Sequence, residues 1–346
     1  LRAAIYEQFK GPVTLCTVED PQPGTNGAVL KVEATGVCRS DWHGWMGHDA
    51  DIKLPHVPGH ELAGTVEVVG NGVKDWKRGD RVTVPFVCGC GTCEQCKSGN
   101  HQVCDKQTQP GFTHWGSYAE YVRIDHADIN LVALPGNIDF VVAASLGCRF
   151  ATSFRAIVAQ GTVAADMWVA VHGCGGVGLS AVMIAAAFDA HVIAIDIDDV
   201  ALELAVLAGA RATINAKSSS SVVDEVRDIS GGGVHLSLDA LGTTETCYNS
   251  IANLRKRGRH VQVGLMAGED YHPALPMELV IGNELEIVGS HGMQAFEYGK
   301  MLRMIDTGKL QPAKLIRQTV SLERAAETLG SPAQLHVPGV TVINRF

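Results

Sequence analysis

Ten cysteines and fourteen histidines give this 346-residue chain a large stock of metal-ligating side chains. Five of the cysteines, Cys88, Cys90, Cys93, Cys96 and Cys104, fall within seventeen residues. Cys90, Cys93, Cys96 and Cys104 read C-x2-C-x2-C-x7-C on a Gly-rich segment, GCGTCEQCKSGNHQVC. Four thiolates at this spacing can close a tetrahedral shell around zinc, with Zn–S bonds of ~2.3 Å. Such a site has no open position, so it would hold a loop together and do no chemistry. Cys88 is one thiol too many for that shell and reads as a strand-end residue. In a reducing compartment, thiols this close together point to a metal, not to disulfides.

A second set is dispersed. Cys38 sits in GVCRSDWH, His60 in VPGHELAG and Cys148 in SLGCRF. Two cysteines and one histidine with a fourth position open would form a catalytic zinc site that binds water or substrate. Spacing alone leaves convergence open, because a single Cys is commonly a small core residue and a single His a satisfied polar group.

The third chemical signal is WVAVHGCGGVG at residues 168–178. Gly173, Gly175 and Gly178 fit G-x-G-x-x-G between an expected strand and an expected helix, with Gly176 and Val177 completing the turn. The first glycine makes the turn, the second admits a pyrophosphate to the backbone, and the third lets helix and strand pack closely. Asp196, 18 residues past Gly178, ends the next strand, where an acid bonds the adenosine ribose hydroxyls. It would repel a 2′-phosphate, as would Asp198 and Asp199, and no Arg or Lys follows before Arg211. The expected cofactor is therefore NAD, not NADP.

These groups need a scaffold, and the length favours two domains. The first 150 residues read as short β segments (29–32, 64–69, 81–84) broken by Pro and Gly turns. From about residue 143 strand and helix patterns alternate: strands at 168–172, 191–195, 212–215, 234–238, 259–264 and 285–289, and helices at 177–188, 200–207, 222–229 and 244–254. Six apolar strands with intervening helices require an α/β doubly wound parallel sheet. A helix pattern at 295–307 and a last strand at 340–343 return to the first domain.

Hydrophobic residues at 46% and charged residues at 19% provide a core and exclude disorder as the main state. The longest apolar run, 181–188, has eight residues against the ~20 of a membrane span. Net charge −9 opposes binding to nucleic acid, and on this reading no dense Lys/Arg block reverses it locally. No basic region followed by an apolar stretch and a cleavage site opens the chain, so a cytoplasmic location is expected.

Together these features resemble the zinc-dependent medium-chain alcohol dehydrogenases over essentially the whole chain. GVCRSDWH, PxxPGHExxGxVxxVG, the four-cysteine lobe, GSYAEYV, the Cys148 segment and the glycine turn come in that family's order. The resemblance implies a mostly β catalytic domain with a partly open, barrel-like (GroES-like) core, residues 1–149 and 292–346, and a Rossmann domain inserted at 150–291. It implies two zinc ions per subunit, with Cys38, His60 and Cys148 as the catalytic ligands and Glu61 able to approach that metal. Asp41 would orient His60, Ser40 would accept the substrate proton, His43 would end the relay, and Thr152 would lie near the nicotinamide. Phe86 matches a substrate-channel position; Phe112, Trp115 and Trp45 are further pocket candidates, with core packing as their alternative. The implied function is that of an NAD-dependent zinc alcohol dehydrogenase (EC 1.1.1.1-like), interconverting a primary or secondary alcohol and its aldehyde or ketone. A sister dehydrogenase acting on a polyol, an amino-alcohol or a thiol-conjugated aldehyde is the alternative, and Cys148 weighs against the first two. Arg149, where relatives commonly carry Gly, and the tryptophans flanking His43 depart from the pattern. A homodimer or homotetramer is implied.

Overall fold

The computed structural model describes residues 1–330 and 338–346. The chain divides into two units, one of Leu1–Ala151, Gly292–Gly308 and Ile316–Phe346, the other of Thr152–His291 and Lys309–Leu315.

In the first unit, Pro- and Gly-punctuated apolar segments cannot extend into long helices and pair as strands. β1 (Arg2–Ile5) and β2 (Thr14–Thr17) form an antiparallel pair. β3 (Ala28–Val37), β4 (Leu62–Val69), β5 (Arg81–Thr83), β6 (Tyr121–Ile124) and β7 (Val132–Ala133) enter a larger sheet. Leu30, Val32, Leu62, Val66, Val82, Val84, Val122 and Ile124 interlock as its core. Burying one leucine or valine contributes roughly 1.5–3 kcal/mol, so this cluster fixes the register that sets His60 and Cys38 beside it.

The second unit contains β8 (Trp168–His172), β9 (His191–Asp196), β10 (Ala212–Asn215), β11 (Val234–Asp239), β12 (Leu254–Gln262) and β13 (Glu286–Gly289). All pair in parallel in the order β10-β9-β8-β11-β12-β13. In units of chain order that is 3-2-1-4-5-6, the doubly wound arrangement, with its switch point between β8 and β11. The helix Gly176–Ala187 buries Gly178 through Ala185 continuously, as a helix packed in the interior must. Asp198, Ser221 and Thr243 cap the three following helices with their side chains.

The chain returns to the first unit with β14 (Ile316–Ser321) and β15 (Val340–Arg345). The large sheet runs β14-β15-β3-β4-β5-β7, with β6 also on β3, and its path has two ends. Among the described residues the β core is thus open, not a closed barrel.

Two expectations need correction. β12 starts at Leu254, where a helix was expected to continue. Leu254 pairs with Val234 and Arg259 with Leu236, so residues 255–258 bulge from the ladder, and Arg257 takes φ +61°. The bulge and the ladder residue after it carry a local basic cluster, Arg255, Lys256, Arg257 and Arg259, contrary to the expectation of no dense basic block. Glu284 pairs with Arg257 and Glu286 with Arg259, which halves its charge. Among the described residues no helix is long and apolar enough to cross a membrane.

His172, at the end of β8, is buried and accepts from Asn253 Nδ2 at 2.7 Å through Nε2. Burial, reinforced by His260, pulls its pKa down to about 3, so it is neutral in the core.

Candidate active site

Three elements of the first unit converge. Cys38 follows β3 and leads the helix Arg39–Trp45, His60 and Glu61 precede β4, and Cys148 lies in a π-helical stretch, Leu146–Phe150. One ligand atom from each of Cys38, His60, Glu61 and Cys148 lies within 4.8 Å of the others. π-Helical turns widen a helix locally and recur at functional sites.

Asp41 organises this set. Its Oδ1 accepts from His60 Nδ1 at 2.9 Å and from the Gly59 N–H at 3.0 Å; its Oδ2 accepts from the Cys38 N–H at 3.0 Å and from Tyr118 Oη at 3.4 Å. The carboxylate therefore fixes the tautomer and orientation of His60. Nε2 of His60 is left buried without a hydrogen-bond partner. A bare buried polar nitrogen costs about 1–3 kcal/mol, and a metal ion held with the two thiols would relieve it. Donor set and geometry both fit zinc.

The electrostatics agree. The Cys148 thiol donates toward Cys38 and, against burial and with His60 assisting, holds Cys38 well below the ordinary thiol range. Cys148 is correspondingly pushed well up, first by Cys38 and then by burial. Burial disfavours a charged His60, yet Asp41 raises it well above its ordinary value. Such a pocket favours a cation.

The lobe of Cys90, Cys93, Cys96 and Cys104 is a second set whose sulfurs lie within 4.8 Å of one another. Backbone N–H groups surround them: Thr92 and Cys93 donate to Cys90 Sγ at 3.4 and 3.3 Å, Cys96 to Cys93 Sγ at 3.4 Å, and Cys90 and Lys106 to Cys104 Sγ at 3.3 Å. Burial works against ionisation of Cys90, but donors from Thr92 and Cys93 bring its pKa down to about 5. Burial and its neighbours push Cys96 up to about 12. All four cannot ionise together without a cation among them, which is the condition zinc satisfies. Cys88 stays outside, buried, its Sγ 3.7 Å from the Pro85 carbonyl.

Ser40 Oγ lies 3.7 Å from Cys38 Sγ. His43 Nδ1 meets His48 Nδ1 at 3.0 Å, and the His48 N–H donates to the His43 carbonyl at 3.0 Å. The Trp42 ring stands edge-on to both imidazoles, 4.9 and 5.9 Å away. Burial, then Arg39 and His48, lower the His43 pKa below the ordinary imidazole value, which favours its neutral form. Reading the sequence missed His48; its spacing to His43 across Gly47 was the available signal.

The four pocket candidates separate. Phe112 and Phe86 place their rings 5.1 and 6.2 Å from His60. Trp45 packs in the core with Tyr6 and Leu329 and donates Nε1–H to the Gly11 carbonyl at 2.8 Å. Trp115 is 40% exposed and donates to the Pro55 carbonyl.

In the second unit the glycine turn follows β8. Gly173 has φ +89°, and a Cβ at Gly178 would overlap the Gly173 carbonyl, so both positions demand glycine. Gly175 faces open space and precedes Gly176 and Val177, and no side chain caps this helix start. Its free N–H groups suit a phosphate. Asp196 accepts from the Cys174 N–H at 2.5 Å and from the Ile197 and Asp198 N–H groups at 2.7 and 3.0 Å, which ties the turn to the end of β9. Thr152 is buried with Oγ1 unpartnered.

Residues 24–136 match the family model for the alcohol dehydrogenase GroES-like domain, and residues 176–307 that for zinc-binding dehydrogenase. An alcohol dehydrogenase of Geobacillus stearothermophilus is 35% identical over 292 residues, 84% of each chain. The chain belongs to the zinc-dependent medium-chain alcohol dehydrogenase family. An NAD-dependent alcohol dehydrogenase of Sulfurisphaera tokodaii is 31% identical over 99% of both chains. Among solved structures, alcohol dehydrogenase TADH from Thermus sp. ATN1 superposes with a TM-score of 0.91 at 28% identity, each chain covered fully.

Proposed function

We propose that this member of the family is an NAD-dependent zinc alcohol dehydrogenase that interconverts an apolar primary or secondary alcohol and its carbonyl compound. The observation that carries the reading is the convergence of Cys38, His60 and Cys148 from distant segments around a bare, buried His60 Nε2. Those three residues would hold the catalytic ion, and Cys90, Cys93, Cys96 and Cys104 the structural one. When bound, zinc supplies a Lewis acid that lowers the pKa of an alcohol hydroxyl and polarises a carbonyl.

The chain's own groups do the rest. Asp41 keeps the His60 ring aimed. Ser40 takes the proton that leaves the substrate hydroxyl, and the relay passes by way of the nicotinamide ribose to end at His43. Phe86 and Phe112 offer apolar faces beside His60, which favours a medium-sized apolar substrate over a charged one. The N–H groups starting at Gly176 bind the pyrophosphate. Asp196, with Asp198 and Asp199, selects the unphosphorylated ribose of NAD, and Thr152 sits near the nicotinamide.

The ten unpaired thiols suit a reducing cytoplasm. β13 is an edge strand with Ile287 39% exposed, a surface suited to a homodimer or homotetramer. The test is nicotinamide absorbance with alcohols from ethanol to benzyl alcohol: NAD reduction with apolar alcohols is expected. Preference for polyols or charged substrates would refute the substrate class, and no reduction with any alcohol would refute the activity.

A further inference from the structure

Glu61 supplies the fourth ligand atom in reach of the catalytic cluster, yet both of its oxygens are engaged elsewhere. Oε1 accepts from the backbone N–H of Arg149 at 3.0 Å and from Arg149 Nε at 2.9 Å, and Oε2 accepts from Arg149 Nη2. Glu61 is fully buried and Arg149 only 7% exposed. A bidentate guanidinium fixes a carboxylate in both position and orientation. Gly36 leaves room for the pair: a Cβ there would overlap Glu61 Oε2 and lie 2.9 Å from Arg149 Nη2. Arg149 follows Cys148 directly in the π-helical stretch, so one local element carries both a ligand and the clamp on its competitor.

We propose that Arg149 is a positioning residue that withholds Glu61 from the metal, so that an ion on Cys38, His60 and Cys148 keeps its fourth position for substrate. This rests on the zinc dehydrogenase reading. Two thiolates neutralise a divalent ion, and Glu61 and Arg149 neutralise each other. Moving the Glu61 carboxylate onto the metal would give the site excess negative charge and break a buried bidentate ion pair, which is costly. Without the guanidinium that restraint is gone, and a carboxylate already within the cluster competes with every incoming ligand.

Holoenzyme with cobalt(II) in the catalytic site reports coordination in its visible spectrum without turnover. In the wild type, added imidazole should enter the open position and shift that spectrum. R149M should bind imidazole at least about tenfold more weakly, the scale on which groups supporting a metal site act. R149M/E61Q, which removes the competing carboxylate as well, should regain wild-type affinity. Unchanged affinity in R149M, or a loss that E61Q does not repair, would overturn the proposal. Should R149M fail to fold, R149K carries the test: its ammonium cannot fork across both oxygens, so weakened imidazole binding is expected and wild-type affinity would overturn the proposal. Failure of wild-type enzyme to take cobalt outside the four-cysteine lobe would sink the zinc reading itself, a distinct outcome.

Discussion

The Cys90 lobe and the His60 pocket use related donors and are held by opposite means. In the lobe, four sulfurs from residues 90–104 are wrapped by N–H groups of their own segment. In the pocket, ligand atoms come from residues 38, 60 and 148, and a side-chain carboxylate, Asp41, aligns two of the segments. The lobe offers four like donors and closes; the pocket offers two thiols, a bare imidazole nitrogen and a carboxylate already clamped by Arg149. A local ligand set staples a loop, whereas a dispersed set needs the whole fold and can leave one position free for chemistry.

Breaking each set should have opposite consequences. His60→Ala is expected to cut turnover by more than about a thousandfold, since metal polarisation supplies several kcal/mol, while NADH affinity by fluorescence titration stays unchanged. Cys93→Ser should instead cost stability, because structural zinc contributes roughly 10–16 kcal/mol to the folding of small zinc domains. Limited proteolysis should then cut first within 90–104. Turnover lost in Cys93→Ser with a resistant lobe would erase the distinction.

Asp41→Asn sharpens the comparison on one side only. It weakens the acceptor for His60 and should speed zinc loss to a chelator about 10–100-fold from the pocket, leaving the lobe ion in place; equal loss from both sites would contradict this. Smaller still, Asp196→Gly should raise the kcat/KM ratio of NADP to NAD about tenfold, and an unchanged ratio would remove Asp196 from cofactor selection.

A different kind of effect, on stability, lies in the second unit. His172 has its pKa lowered to about 3 in the folded chain, against about 6.5 unfolded. Below pH 6.5 the unfolded chain takes a proton that the native one refuses. Stability present above that pH is therefore lost as pH falls toward 3. His172→Gln should flatten urea-unfolding free energy between pH 6.5 and 5 by up to about 1.4 kcal/mol per pH unit; parallel curves would contradict a neutral, buried His172.

The second unit was readable because β8 and β9 are near-continuous buried apolar runs with helices between the strands, and the G-x-G-x-x-G turn lies in the one context that gives it meaning. The lobe was readable because its ligands are neighbours. Convergence of Cys38, His60 and Cys148 was not, since β3, β4 and the Cys148 helix meet only through the sheet core, and resemblance, not spacing, pointed there. The Glu61–Arg149 pair spans 88 residues, a separation without periodicity. For Trp45 the sequence left pocket and core packing open, and on a seven-residue helix its ring turns to the core. Leu254 continued a helical pattern in sequence yet pairs with Val234, because strand pairing overrode local propensity.

The most direct test is zinc stoichiometry by elemental analysis, on wild-type protein and on His60→Ala. Two equivalents per chain falling to one, with turnover lost, is the predicted result. Fully active wild-type enzyme with a single equivalent, or two equivalents retained in His60→Ala, would contradict an ion held by Cys38, His60 and Cys148.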